Sequence, residues 1–388
     1  MTQQLVASKK VVHELPIGWR WVKLGEVCEF LDSRRIPINE NERNQRIAGK
    51  PQVALYPYYG ANGQVGWIDD YLFDEPLILL AEDGGFFGSH DRSITYAVSG
   101  KYWVNNHAHV LKPKPEIDFD YCLHVLRIRP DVGGMVAGAT RAKLNQKVAA
   151  DIPIPLPPKS DQLRIAKILN NSFSIIDAAR AAAEAQLDAA KALSVAFLRD
   201  SLTKGKLTKY RLGDCLSEVK NGVGKDWEKY PVLGATRAGL AAAKDPVGKK
   251  PERYKLVNHG TVFYNPMRIL LGSIAMVDQY DEAGITSPDY VAVKGKQGIL
   301  DTRWFYYFFR SVMGEHLIKT LVRGAVRERI LFKRLAKGEI ELPSWERQVQ
   351  ASKRMFKAHD LINPIEDRIR EIDALPSKYL KLAFSGEL

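Results

Sequence analysis

Tyr264-Asn265-Pro266-Met267 sets an Asn beside a Pro, the order that positions a target amine in amino-methyltransferase loops. No glycine-rich cofactor motif precedes it at a usable position, so the segment reads as an ordinary loop. His107 and His109 would face one side of a strand and could touch a metal. No third ligand lies nearby in sequence, and a structural or base-contacting role is the expectation. Asp69-Asp70 and Glu82-Asp83 offer the carboxylates of a nuclease metal site but lack a well-spaced lysine, and turn or surface roles account for them. Asp83-Gly84-Gly85-Phe86-Phe87-Gly88 has no dinucleotide-binding spacing and reads as a tight turn between strands. No Gly-x-x-x-x-Gly-Lys-Ser/Thr loop is present. The expectation is a chain with no catalytic residue, no bound cofactor and no metal of its own.

What the sequence does hold in excess is cationic side chains. Lys and Arg number 57 against 45 Asp and Glu, for a net charge of +12. That excess suits a polyanionic partner, nucleic acid before an anionic membrane surface. No apolar run reaches 18 residues and no signal-peptide pattern opens the chain, which argues against a membrane protein. Cys28, Cys122 and Cys215 imply neither a disulfide framework nor a metal site and suit buried thiols in the cytoplasm.

The two halves of the chain resemble each other. Lys23-Leu24-Gly25-Glu26 is matched by Arg211-Leu212-Gly213-Asp214 at an offset of 188. Gly138-Ala139-Thr140-Arg141 is matched by Gly324-Ala325-Val326-Arg327 at an offset of 186. The same offset continues through Lys143 and Arg329, Lys147 and Lys333, Ile154 and Ile340, Leu156 and Leu342, Pro157 and Pro343, and Gln162 and Gln348. "LTKGKL" at Leu202–Leu207 is echoed by "AFSGEL" at Ala383–Leu388. The segments between these motifs diverge. A constant frame around divergent middles suggests two modules of one design that contact different targets.

The elements that position these residues follow the same plan twice. "LILLAE" and "HAHVLK" read as strands in the first half, as do "GTVFYN", "GSIAMV" and "YVAVKG" in the second. "DFDYCLHVLRI" and "TRWFYYFFRSVMGEHLIKTL" read as helices, and "IPIPLPP" as a proline turn. Asp161 to Leu198 contains no Gly or Pro and is rich in Ala. Ile165, Leu169, Ile176, Ala183, Leu187, Ala190 and Phe197 trace one face of it. Such a helix spans about 57 Å and needs a partner for its apolar stripe. The segment from Ser344 onward supplies one, with Pro364 and Pro376 expected to kink or divide it. The expected fold is α+β: two similar domains (1–158 and 201–343), each a small twisted sheet with helices. Long antiparallel coiled-coil spacer helices (159–200 and 344–388) separate them as in a dumbbell.

Within each module, shared cations suit contacts that ignore base sequence, which is what phosphate contacts are. They are Arg141, Lys143, Lys147, Arg327, Arg329 and Lys333. Base-reading residues belong in the divergent middles. Candidates are Asn62, Gln64, Ser89, His90, Arg92, Asn105 and His107, then Lys225, Thr236, Arg237, Arg268, Ser287 and Asp289. Tyr58, Tyr59 and Asn265 also qualify by type but suit the core.

"LPIGWRWVKLGEV" at Leu15–Val27, "IPIPLPPKSDQLRIAKIL" at Ile152–Leu169 and the closing "AFSGEL", with the repeated frame, resemble the specificity subunit of type I restriction–modification systems. That resemblance implies two target-recognition domains, each reading one half of an asymmetric, bipartite site in double-stranded DNA, with the paired helices setting the unread gap. It implies two methylation subunits that dock on the helices and carry S-adenosylmethionine and adenine-N6 transfer. It also implies restriction subunits that use ATP and Mg2+. The competing readings are a stand-alone methyltransferase or nuclease with its own recognition domains, a non-specific DNA-binding scaffold, and an orphan DNA-binding regulator.

Overall fold

The computed structural model describes residues 15–138, 141–243, 247–322 and 329–388. Contacts divide the chain into two compact units: residues up to Ala183 with Arg368–Leu388, and Glu184–Asp367.

In the first unit the strands are β1 (Arg20–Lys23), β2 (Cys28–Phe30), β3 (Tyr56–Gly60), β4 (Gly63–Ile68), β5 (Phe73–Asp74), β6 (Leu77–Ala81), β7 (Thr95–Val98), β8 (Lys101–Val104), β9 (Ala108–Pro113) and β10 (Pro153–Leu156). Its helices are α1 (Leu24–Val27), α2 (Glu40–Ile47), α3 (Phe119–Arg127), α4 (Gln146–Ala150) and the first part of α5 (Lys159–Thr203). An antiparallel sheet runs β2-β9-β6-β7, and a second sheet runs β4-β3-β8-β5. Leu77 to Ala81 is apolar without alternation because both faces of β6 are covered. Ile78 and Leu80 join the core beneath the helices, while Leu77 and Leu79 face Val98, Tyr102 and Val110.

The second unit repeats this sheet. Its strands are β11 (Thr208–Arg211), β12 (Leu216–Glu218), β13 (Leu233–Ala235), β14 (Leu240–Ala242), β15 (Lys255–Val257), β16 (Thr261–Tyr264), β17 (Ile274–Val277), β18 (Gly284–Thr286), β19 (Val291–Gly295) and β20 (Glu339–Leu342). Its helices are α6 (Leu212–Cys215), α7 (Thr302–Phe309), α8 (Val312–Val322), α9 (Phe332–Leu335), α10 (Trp345–Asp360) and the start of α11 (Ile362–Ser385). The order β12-β19-β16-β17 is the order β2-β9-β6-β7 again. Two separate two-stranded sheets, the hairpin β13-β14 and the long-range pair β15-β18, stand where the first unit has its second sheet.

The repeated residues build the shared frame. β1 pairs antiparallel with β10, and β11 with β20. Leu24 N–H donates to Ile152 O at 2.9 Å, and Leu212 N–H to Gly338 O at 2.8 Å. Gly25 and Gly213 pack against Ala150 and Ala336 so closely that an added Cβ would sit 3.0 Å from the alanine methyl in both. Gln162 is buried, accepts from Asp118 N–H at 2.7 Å, and donates to the carbonyls of Glu116 and Pro157. Gln348 makes the same three bonds to Asp301, Ile299 and Pro343. Gly205 and Gly386 follow the ends of α5 and α11 with φ of +83° and +81°, the left-handed stop that glycine allows.

Within the first unit α5 and α11 pack antiparallel. Arg164 donates to Leu388 O at 2.8 Å and Arg180 pairs with Asp373 at 2.8 Å. Ile372, Leu380 and Ala383 share one core with Ile165, Leu169 and Ile176. In the second unit Leu198 of α5 shares a core with Ala351 and Met355 of α10.

Three local expectations change. "IPIPLPP" is not only a turn, because Pro153–Leu156 forms an edge strand, where a proline has no ladder bond to forfeit. The helix expected over 302–321 is two helices. α8 lies so close to α7 that a Cβ on Gly314 would meet Phe308 O at 2.3 Å, and a straight rod cannot make that contact. The second spacer breaks at Leu361. Pro364 occupies the first turn of α11, where its missing N–H has no helical partner to lose, and Pro376 is contained within the continuous α11.

Candidate nucleic-acid interface

In both units the segment that carries the shared cations runs beside the loop leaving the central strand. Leu144 N–H donates to Glu82 O at 2.7 Å in the first unit, and Ile330 N–H to Pro266 O at 3.1 Å in the second. Leu144 and Ile330 are repeat partners, so the bonds align the units: Glu82 matches Pro266, and Asp83 matches Met267. Strand register extends the match, since Leu80 pairs with His109 where Tyr264 pairs with Val291. His107 then matches Asp289.

A buried polar cluster supports the first interface. His109 is fully buried, with Nδ1 2.6 Å from the Asp32 carboxylate and Nε2 2.7 Å from Leu144 O. Arg35 donates to Glu82 at 2.8 Å and lies 3.3 Å from Asp32. The Asp32 carboxylate also accepts from Val110 N–H at 2.9 Å. Asp32, Glu82 and His109 bring their ligand atoms within 4.8 Å of one another, a spacing open to a metal. Both ring nitrogens are committed and the Arg35 guanidinium already bridges the carboxylates, so the cluster carries its own cation.

The shared cations sit over this cluster. Arg141 Nη2 is 2.6 Å from Asp83, and Lys143 Nζ is 3.0 Å from Glu82. The carboxylates lie beneath, at 13% and 11% side-chain exposure, while Arg141 and Lys143 are 59% and 52% exposed. His107 Nδ1 also reaches Asp83, at 2.8 Å. Lys147 is exposed on α4.

The loop between β6 and β7 gathers most first-unit candidates for base contact. Asn62, at the β3–β4 turn, donates to Gly84 O at 2.9 Å. Ser89 Oγ accepts from Arg92 N–H at 3.1 Å, and the Arg92 guanidinium stacks 3.3 Å over the Phe86 ring. His90 is exposed on the same loop. Asn105 is buried and spends its amide oxygen on His107 N–H at 2.8 Å. Gln64 is exposed and turns back onto Gly66 O. Tyr58 is core, whereas Tyr59 is half-buried among Tyr96 and Tyr102.

The second interface is built differently on the same frame. Tyr264 donates its hydroxyl to Ile330 O at 3.1 Å, the bond that His109 makes to Leu144 O. Burial pushes the Tyr264 hydroxyl well above the usual phenol range and keeps it a donor. Arg329 lies 3.8 Å from Asp289, an exposed carboxylate. Lys333 is exposed on α9. Arg327 lies outside the described residues. Arg268 follows Asn265 on the loop, and Ser287 Oγ accepts from Asp289 N–H at 3.3 Å. Thr236 and Arg237 form the β13–β14 turn, and Arg237 lines a cleft of about 650 Å³ with Leu271 and Arg310. Lys225 stands apart on the turn Gly224–Lys229. Sequence reasoning missed Asp32 and Arg35, which have no repeat partner in kind; only their place just after the opening motif marks them.

The comparisons with known proteins agree with this architecture. Residues 16–188 match the family described as "Type I restriction modification DNA specificity domain". The chain resembles a type I specificity subunit. It is 35% identical over 150 residues to a Haemophilus influenzae protein assigned as the specificity subunit S.HindORF215P, covering 39% of this chain and 36% of that one. It is 25% identical over 200 residues to the EcoDI specificity subunit of Escherichia coli, covering 50% and 40%. The matched stretch thus spans well under half the length of either relative. Among solved structures, the S subunit of a type I restriction–modification system from M. genitalium superposes with a TM-score of 0.58. The two are 14% identical, and 97% of this chain and 98% of that chain are covered, so the likeness is one of fold.

Proposed function

We propose that the chain is the DNA-reading subunit of a type I restriction–modification complex and is itself non-catalytic. Each unit reads one half of a bipartite, asymmetric target in double-stranded DNA. The α5, α10 and α11 helices fix the gap between the halves and dock two adenine-methylation subunits. S-adenosylmethionine, ATP and Mg2+ belong to the methylation and restriction subunits. The cytoplasm is the compartment this work requires, and no helix among the described residues is long and apolar enough to cross a membrane.

One observation carries the reading. The same frame holds cations at equivalent positions, Lys143 with Arg329 and Lys147 with Lys333, beside loops that share neither length nor chemistry. Backbone-binding cations suit a constant frame, and base readers suit variable loops. Co-expression with a methylation subunit, followed by mapping of methylated adenines, tests it. The expected result is one bipartite motif, and inserting one helical turn into α5 lengthens its gap. Random or absent methylation overturns the reading, and an unchanged gap removes the ruler.

A further inference from the structure

The two interfaces differ in what neutralises their cations. In the first, Arg141 and Lys143 each rest on a buried carboxylate, Asp83 and Glu82. In the second, the matching positions are Met267 and Pro266, which carry no charge. Met267 is 72% exposed there. Among the described residues Arg329 pairs with Asp289 at 3.8 Å, and that side chain is 84% exposed. A carboxylate held in the protein beneath a cation cancels much of its field, whereas an exposed one at longer range is screened by water and salt.

The consequence concerns phosphate. A duplex of any sequence gains affinity by releasing counterions as its phosphates meet uncompensated cations. Arg141 and Lys143 are already compensated, so a phosphate must share them with Asp83 and Glu82. Generic backbone offers nothing further in return. A matched half-site adds base contacts from the loop Glu82–Ile94, which begins with those same two carboxylates.

We infer that Glu82 and Asp83 are specificity-determining residues of the first unit: they occupy Arg141 and Lys143 in the free protein and so suppress binding to unmatched DNA. Among the described residues the second unit has no such device, and it carries the larger share of sequence-independent attraction. This rests on the DNA-reading function proposed above and assigns that task unequally to the two units.

Fluorescence anisotropy of the full chain on a random 40-base-pair duplex, over about 50 to 300 mM KCl, tests it, since salt dependence counts phosphate contacts. Glu82→Gln with Asp83→Asn is expected to tighten binding about tenfold at the lowest salt. It should also steepen the slope of log affinity against log salt by about 0.9 for each cation released. The Asp83 carboxylate is paired with His107 and Arg141 and takes no part in the Glu82–Arg35 pair, so Asp83→Asn alone, with half the slope change, covers the case in which loss of that pair unfolds the domain. Met267→Asp writes the first unit's acid into the second and should weaken random-duplex binding. Unchanged or weaker binding by Asp83→Asn overturns the inference and leaves the DNA-reading function standing. A wild-type chain that binds no duplex overturns both.

Discussion

In the first unit the carbonyl of Leu144 accepts from a histidine ring; in the second, the equivalent carbonyl of Ile330 accepts from a tyrosine hydroxyl. The bond is kept and the donor is replaced. His109 brings Asp32, and Asp32 brings Arg35 and Glu82, so four polar residues replace one phenol. Elsewhere the units behave oppositely: Gln162 and Gln348 are identical in type and bond three equivalent backbone groups. The difference shows that the frame constrains which backbone groups must be satisfied. The donor comes from a different strand in each unit, β9 in one and β16 in the other, so the chemistry that satisfies the carbonyl is free to change.

The sharpest check on the common frame is to remove it. Gln162→Ala and Gln348→Ala each strand a buried N–H and two carbonyls, and each should cost about 3 kcal/mol. Chemical denaturation of the full chain should show equal losses, and unequal ones would break the equivalence. The donor pair should separate the units instead. His109→Leu deprives both Leu144 O and the buried Asp32 carboxylate and should cost about 3 kcal/mol, against about 1 kcal/mol for Tyr264→Phe. Next come the cations that α4 and α9 share. Lys147→Gln and Lys333→Gln should each lower the salt slope of duplex binding by about 0.9, without altering which sequence is methylated.

The smallest expected effect is one of pH. His124 is buried on α3, and burial holds its ring below the usual imidazole range, against a bond to Asn170 at 2.7 Å. Its neutral form is the one the fold accommodates, so this contribution is complete above about pH 6.5 and is lost as pH falls toward the lower folded-state value. The matching residue in the second unit is Tyr307, which has no charge to gain in acid. Thermal unfolding between about pH 7.5 and pH 5 should show an acid loss that His124→Gln reduces.

The frame is legible in the sequence because its residues recur in register. Gly25 and Gly213, Gln162 and Gln348, and the proline after each closing strand announce positions that tolerate little else. The α5 stripe is equally plain: Ile165, Leu169, Ile176 and Ala183 are all buried. The interface is legible only in half. Arg141 and Lys143 stand out as repeated cations, but Glu82 and Asp83 read as turn residues because their partners lie far away in the chain. Backbone pairing is what brings them together: Leu144 N–H donates to Glu82 O, and Asp83 forms an antiparallel bridge with Lys143. The strand Pro153–Leu156 is hidden by its prolines, which weaken any strand pattern although an edge position accepts them.

Gln162 and Gln348 have a mechanical meaning as well. Each clamps the first turn of a long helix to two other segments of its own domain, and a joint pinned at three points resists both twist and tilt. A helix so pinned bends more readily away from the joint, where its run of helical backbone is interrupted. Among the described helical residues after Ser344 that place is Leu361, between α10 and α11.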